Sequence, residues 1–138
     1  MIIDFHTHTF PEKIAERTID ILESNTEKVQ GVRSKAHTDA TVEGLLKSMD
    51  ECGVDISVVM PIATNTKQSS TINRVAQETN SRDRLFSFGS LHPMQEDWEK
   101  TLYDIKEKGL LGIKLHPEYQ QFYIDSPESV RILQKCEE

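Results

Sequence analysis

No run of the 138-residue chain comes near the ~20 consecutive apolar residues that a membrane-spanning helix requires. The start, Met1-Ile2-Ile3-Asp4, also lacks the basic stretch and following apolar stretch of an export signal. Cysteine is scarce. Cys52 and Cys136 stand far apart, so neither a dense disulfide framework nor the paired spacing of a zinc ribbon is present, and the expected compartment is a reducing cytoplasm. Positive charge is in deficit: 16 Lys+Arg against 23 Asp+Glu give a formal charge of -7. That balance opposes capture by a phosphate backbone or an anionic leaflet, so neither nucleic acid nor membrane is an expected partner. The chain has no Gly-x-Gly-x-x-Gly, Walker loop or Gly-x-Ser-x-Gly elbow, which leaves nucleotide binding and serine hydrolysis without support. A small-molecule substrate is the remaining expectation for an enzyme.

What is present is the composition of an ordinary globular domain, 36% hydrophobic and 28% charged, with no low-complexity segment or linker to divide it. Short β-rich runs alternate with segments of 3.6-residue period, the pattern of parallel βα units in an α/β fold. The strands are expected at residues 2–5, 56–62, 85–91 and 111–115, paired in the order 1-2-3-4 and near-continuously apolar because both faces would be covered. Pro11-Glu12 opens the first helix, with Ile14, Thr18, Ile21 and Leu22 as its buried stripe. Residues 25–40 are polar and show neither period, and are expected to form an irregular excursion near a site mouth. Thr41 is placed to N-cap a helix with Val42, Leu45, Leu46 and Met49 on one face, ended by Gly53. Ile72, Val75, Ala76 and Thr79 mark a third helix, with Asn80-Ser81 as a turn after it. Trp98, Leu102 and Ile105 mark a fourth, with Gly109 near its end. Ser126-Pro127-Glu128 launches a last one with Val130 and Leu133 on one face.

His6-Thr7-His8 follows directly on the first strand. Side chains at i and i+2 project from one face of an extended chain, so both imidazoles can meet one ion at the strand's carboxyl end, where sites in parallel α/β folds are assembled. Imidazole suits zinc and similar borderline cations at about 2.0–2.1 Å. Lys114 and His116 share a strand face by the same rule. His116 and His92 each precede a proline, which holds them extended at a strand end. For His116, contact with substrate or with a ligand-supporting position stands beside a plain strand-end turn; for His92, packing stands beside a role at the site. His37 is read as solvent-exposed and Trp98 as core. The acidic pairs Asp50-Glu51, Glu96-Asp97 and Glu137-Glu138 are read as solvated helix faces or ends.

The run Ile3-Asp4-Phe5-His6-Thr7-His8-Thr9-Phe10-Pro11 resembles the start of the amidohydrolase superfamily, specifically its amidohydrolase-related metal-dependent hydrolases. Gly112-Ile113-Lys114-Leu115-His116-Pro117, with Gln121-Phe122 and the Asp125-Ser126-Pro127 helix start, resembles the same group's fourth strand and following loop, and Ser90-Leu91-His92-Pro93 its third strand end. The resemblance spans the whole chain. It implies a (β/α)8 TIM barrel with a divalent metal, zinc or alternatively manganese, that activates water for hydrolysis of an amide, ester or related bond. His6 and His8 match the family's first two ligands. The group also contains decarboxylases and hydratases of small carboxylic acids, and in some branches a strand-four lysine is carbamylated and bridges two metals; Lys114 stands at that position, with a charge contact to substrate as the other reading.

Further family ligands follow strands five, six and eight. A complete barrel takes ~250 residues, so residues 1–138 are expected to be its N-terminal half, stopping before strand five. Such a half has two open edges and an uncovered apolar inner face, which favour homo-oligomerisation or association through those edges. It is expected to bind metal weakly and to lack turnover alone; a non-catalytic half-barrel module is the reading from another class.

Overall fold

The computed structural model describes residues 1–80 and 82–138, with the side chain of Val29 outside the description. Ser81, half of the expected Asn80-Ser81 turn, lies outside the described residues. The order of elements is β1 (Ile3–Thr7), α1 (Glu12–Gln30), α2 (Val42–Cys52), β2 (Ile56–Val59), α3 (Ser69–Thr79), β3 (Leu85–Ser87), β4 (Gly89–Ser90), α4 (Trp98–Glu107), β5 (Ile113–Lys114), α5 (Pro117–Gln120) and α6 (Pro127–Cys136). Among the described residues no helix is long and apolar enough to cross a membrane.

The fold is mixed α/β with parallel pairing throughout, β1-β2-β3 in one sheet and β4-β5 in a second. The single strand expected over residues 85–91 is divided at Phe88. There the chain changes partner: Phe88 N–H donates to Val59 O at 3.0 Å, and the next amide, Gly89 N–H, to Gly112 O at 2.8 Å. Gly89 has no alternative residue at this point, because a Cβ would stand 2.6 Å from Ile105 Cγ1. Helix α4 therefore lies directly on the β4 backbone, a close approach that only glycine permits.

The strands are not the near-continuous apolar runs expected. Ser57, Ser87 and Ser90 are fully buried. Short strands of two to five residues make few ladder bonds, and buried main-chain groups left over need side-chain partners. Two of these serines answer that need: Ser87 Oγ donates toward Val59 O or Phe88 O (3.3 and 3.0 Å), and Ser90 Oγ donates to Lys114 O at 2.9 Å.

The caps form where the spacing puts them. Thr41 Oγ1 accepts from Gly44 N–H at 2.9 Å, Ser126 Oγ from Ser129 N–H at 3.3 Å, and Gly53 ends α2 in the left-handed region. Helix α1 differs from expectation at both its end and its face. It continues through residues 25–30 to Gly31, whose φ of 73° closes it and whose N–H donates to Glu27 O at 2.8 Å. The polar turn 25–30 carries no apolar period, yet Thr26 Oγ1 bonds back to Leu22 O at 3.0 Å and a left-handed glycine supplies the stop. The irregular part is thus residues 32–41. It folds back on α1, with Ala36 N–H (2.7 Å) and Arg33 Nε (3.2 Å) donating to the Glu23 carboxylate, and Phe10 N–H donating to Ala40 O at 2.8 Å. Those donors, Ala36 first, hold the Glu23 carboxyl below its ordinary value of 4.5.

Ile14, Ile21 and Leu22, expected to be buried, are exposed; among the described residues of α1, Ala15 is the buried one. The main core lies at the other side of the molecule. Ala76, Leu91, Ile105, Leu110 and Ile132 form it, with Trp98, Leu102, Ile113 and Leu115 packed against them. In α6 the side turned inward is Ser129 and Ile132, whereas Val130 and Leu133 are exposed.

Ile132→Ala is expected to cost about 2–5 kcal/mol, the range for emptying a fully buried aliphatic site, and Leu133→Ala to stay within about 0.5 kcal/mol. Urea denaturation of the two variants beside the wild type checks the assignment of the α6 inner face.

Candidate functional site

The end of β1 is shaped by a break in its ladder. Ile3 and Asp4 pair with Ile56 and Ser57, but Thr7 pairs with Val59, so the register shifts between Asp4 and Thr7. Such irregularities re-aim side chains at sheet rims. Asp4 Oδ1 accepts from His6 N–H at 3.1 Å and occupies the amide that the shift frees. Thr7 is buried and donates from Oγ1 to Val58 O at 2.9 Å, while its carbonyl accepts from Met60 N–H at 2.9 Å. With Thr7 turned into the molecule, alternation sends His6 and His8 to the other face. Their ring centroids are 5.0 Å apart at an interplanar angle of 63°, and both residues remain solvent-accessible.

Partial desolvation, and then the neighbouring His6, hold the His8 imidazole below its ordinary value of 6.5. Lys114 and His116 act in the same sense and the Met60 main chain in the opposite one. Residues of β1 and of the β5 end thus share one electrostatic neighbourhood although they lie 106 positions apart and in different sheets, β1-β2-β3 and β4-β5, rather than in one sheet of order 1-2-3-4. Two adjacent imidazoles, one biased toward the neutral form that ligates metal, are a donor set that fits a divalent cation. Among the described residues, however, no group of three or more His, Cys, Asp and Glu side chains is arranged to hold one.

Lys114 lies in β5 opposite Ser90, and His116 stands two residues on, half-buried. His116 begins α5: its Nδ1 accepts from Tyr119 N–H at 3.3 Å and its ring stacks on Tyr119 at 4.3 Å and 10°. With Nδ1 committed as acceptor, the network assigns the proton to Nε2, so the ring presents an N–H donor. His92 is only 9% exposed. Its Nδ1 accepts from Met94 N–H at 3.2 Å, and burial lowers its pKa from 6.5. It is packed within the segment that follows β4 and is not among the groups that act on His8. His37 is exposed. A hollow of about 370 Å³ lined by Thr66, Met94, Gln95, Glu96 and Asp97 opens beside that same loop, away from His6 and His8.

Two supports of the strand ends carried no signal in the sequence. Ser90 Oγ accepts from Ala63 N–H at 2.9 Å while donating to Lys114 O. Gln120, 1% exposed, bonds to Ala63 O, Leu91 O and His116 N–H. Asp4 is different: a carboxylate two residues before a main-chain amide that it caps is a local pattern a sequence does display.

No protein-family profile matches the chain, and no curated protein matches it. Among solved structures it is similar to a probable 2-pyrone-4,6-dicarboxylic acid hydrolase from Acinetobacter baumannii, determined with citric acid bound, at 18% identity and a TM-score of 0.52. The match takes in 99% of this chain and 45% of that one, so the chain spans less than half the neighbour's length. At this identity the likeness is one of fold.

In metal-free buffer the His8 imidazole is expected to titrate below 6.5, and Lys114→Met to move its midpoint upward by removing a neighbouring cation. A depressed imidazole means that the unfolded chain takes up protons first, so this contribution to stability is complete above 6.5 and is lost as the pH falls toward the folded-state value. Histidine-resolved NMR titration reads both directions.

Proposed function

We propose that this chain carries the strand-one metal ligands of a metal-dependent hydrolase and forms the first half of its (β/α)8 barrel. The observation that carries the reading is the His6–His8 pair, 5.0 Å apart at the carboxyl end of a parallel strand, beside Lys114 and His116 from the end of β5. His6 and His8 would hold a divalent cation, zinc or alternatively manganese. When bound, such an ion lowers the pKa of water toward about 7 and polarises the bond under attack. Lys114 would supply positive charge to the substrate and His116 an Nε2–H donor, whereas His92, being packed, would support the loop around them. In this reading Lys114 acts as the free amine.

The substrate is proposed to be a small carboxylic acid with a hydrolysable amide, ester or related bond. Two observations support an anion: the site's cationic and imidazole groups lie together, and the similar solved structure is of a probable dicarboxylic acid hydrolase holding citric acid. A decarboxylase or hydratase of the same fold would use the same groups. The lack of a third ligand among the described residues favours a second reading for the chain by itself, a module that binds metal weakly and gains turnover only when association through the sheet edges brings further ligands. Its exposed Ile3 and Phe5 on β1 are the surface that association would cover.

Titration of the full chain with zinc is expected to give weak binding that the double change His6→Ala, His8→Ala abolishes while circular dichroism stays unaltered. Unchanged zinc affinity in that double variant, or tight zinc binding with hydrolysis by the wild-type chain alone, would overturn the reading.

A further inference from the structure

Helix α5 is a single turn, yet it contains a buried side chain that bonds to three separate segments of the chain. Gln120 Oε1 accepts from His116 N–H at 2.7 Å, and its Nε2 donates to Ala63 O and Leu91 O, each at 2.8 Å. Its own N–H donates to His116 O at 2.9 Å. Both main-chain groups of His116 are therefore held by one residue. The three partners, Ala63, Leu91 and His116, belong to the segments that leave β2, β4 and β5. Ser90 makes a second tie between the same segments through Ala63 N–H and Lys114 O, so both polar main-chain groups of Ala63 are taken by these two side chains. Ala63 itself is fully buried.

An amide is the one side chain suited to this point. It faces two carbonyls and one N–H, so it must both donate twice and accept once; a carboxylate, a methionine or a leucine meets part of that demand or none. The strand that carries the site residues is only two residues long, so its ladder to β4, Gly89 with Ile113 and Ser90 with Lys114, gives them few bonds of their own.

We infer that Gln120 is a positioning residue, a buried clamp that sets where Lys114 and His116 stand relative to the His6–His8 pair by locking the β5 end onto the segments after β2 and β4. The inference rests on the carboxylate-binding reading proposed above only for its functional readout. Because the clamp acts on the β5 side, it should govern how an anionic ligand is held without touching the metal ligands on β1.

The test compares the full chain with Gln120→Met and with Gln95→Met, the latter removing another buried amide, which bonds Ser69, His92 N–H, Asp97 and Thr101 without reaching His116. Three quantities are read: imidazole resonances in histidine-resolved NMR, affinity for citrate, and affinity for zinc. In Gln120→Met the His116 resonances are expected to move while those of His37 do not. Citrate affinity should fall about tenfold or more, the equivalent of one charge-assisted hydrogen bond, and zinc affinity should stay within about twofold. Gln95→Met should leave both His116 and citrate affinity near wild type. Unmoved His116 resonances in Gln120→Met, or an equal effect from Gln95→Met, would overturn the inference. A wild-type chain that binds no citrate would instead overturn the carboxylate reading, and the resonances would still decide the role of Gln120. If Gln120→Met does not fold, the wild type supplies the answer: the Gln120 side-chain amide protons should exchange with solvent as slowly as core main-chain amides, and fast exchange rejects the clamp.

Discussion

The main-chain groups at the carboxyl ends of the strands have too short a ladder to pair with, and they are buried. That constraint governs the rest of the structure. An unpaired buried donor or acceptor costs about 1–3 kcal/mol, and side chains from elsewhere in the chain remove most of that cost here. Asn73 accepts from Ser90 N–H at 2.8 Å, Gln95 from His92 N–H at 3.0 Å, and Gln120 from His116 N–H. Each of these amides is nearly or fully buried. The polar interior is consequently a specification of loop positions: Gln120 and Ser90 fix the segments after β2, β4 and β5 with respect to one another, and those segments carry Lys114 and His116.

The same network also explains what a reading of the sequence could and could not reach. Thr41, Ser126 and Gly53 act within a few residues of themselves, so their cap roles are visible as local patterns and appear in the structure as such. The His6-Thr7-His8 spacing is likewise local, and its two rings do stand together. Gln120 acts on residues 57 and 29 positions away. Nothing within its own turn distinguishes it from Gln121 beside it, which is exposed. The buried serines Ser87 and Ser90 escape notice for the same reason, because the carbonyls and amide that meet their hydroxyls come mostly from other elements. The division of one expected strand into β3 and β4 depends on Gly89 meeting Ile105, again a contact between separate elements.

Helix α1 shows the converse limit. The spacing of Ile14, Ile21 and Leu22 is a valid signature of a face suited to burial, and the helix forms, but among the described residues no element covers that face. Periodicity reports that a helix has an apolar stripe; it does not report a partner. Its anchorage is instead small and local: Ala15 is buried, and the Glu23 carboxylate accepts from Arg33 and from the Ala36 amide. Together with the exposed Ile3 and Phe5 of β1, the stripe gives this side of the molecule a thin interior, in contrast with the core around Ile132.

Net charge and site charge point in opposite directions, and distance decides between them. At -7 the whole chain repels anions at long range. The excess carboxylates, however, are distributed over helix surfaces, where several are already engaged: Glu43 with Arg82, Asp50 with Arg84, Asp104 with Lys108, Glu23 with Arg33. At physiological ionic strength the Debye length is about 8 Å, so an incoming ligand at the strand ends responds mainly to the groups within that distance. Those that act on His8 are His6, Lys114 and His116, and among the described residues Lys114 forms no ion pair. Asp4 also lies close in sequence; its carboxylate accepts from the His6 amide and keeps its negative charge. An acidic chain can in this way gather cationic and imidazole groups locally: the excess carboxylates lie over the helices, whereas the groups that act on His8 at the ends of β1 and β5 are His6, Lys114 and His116.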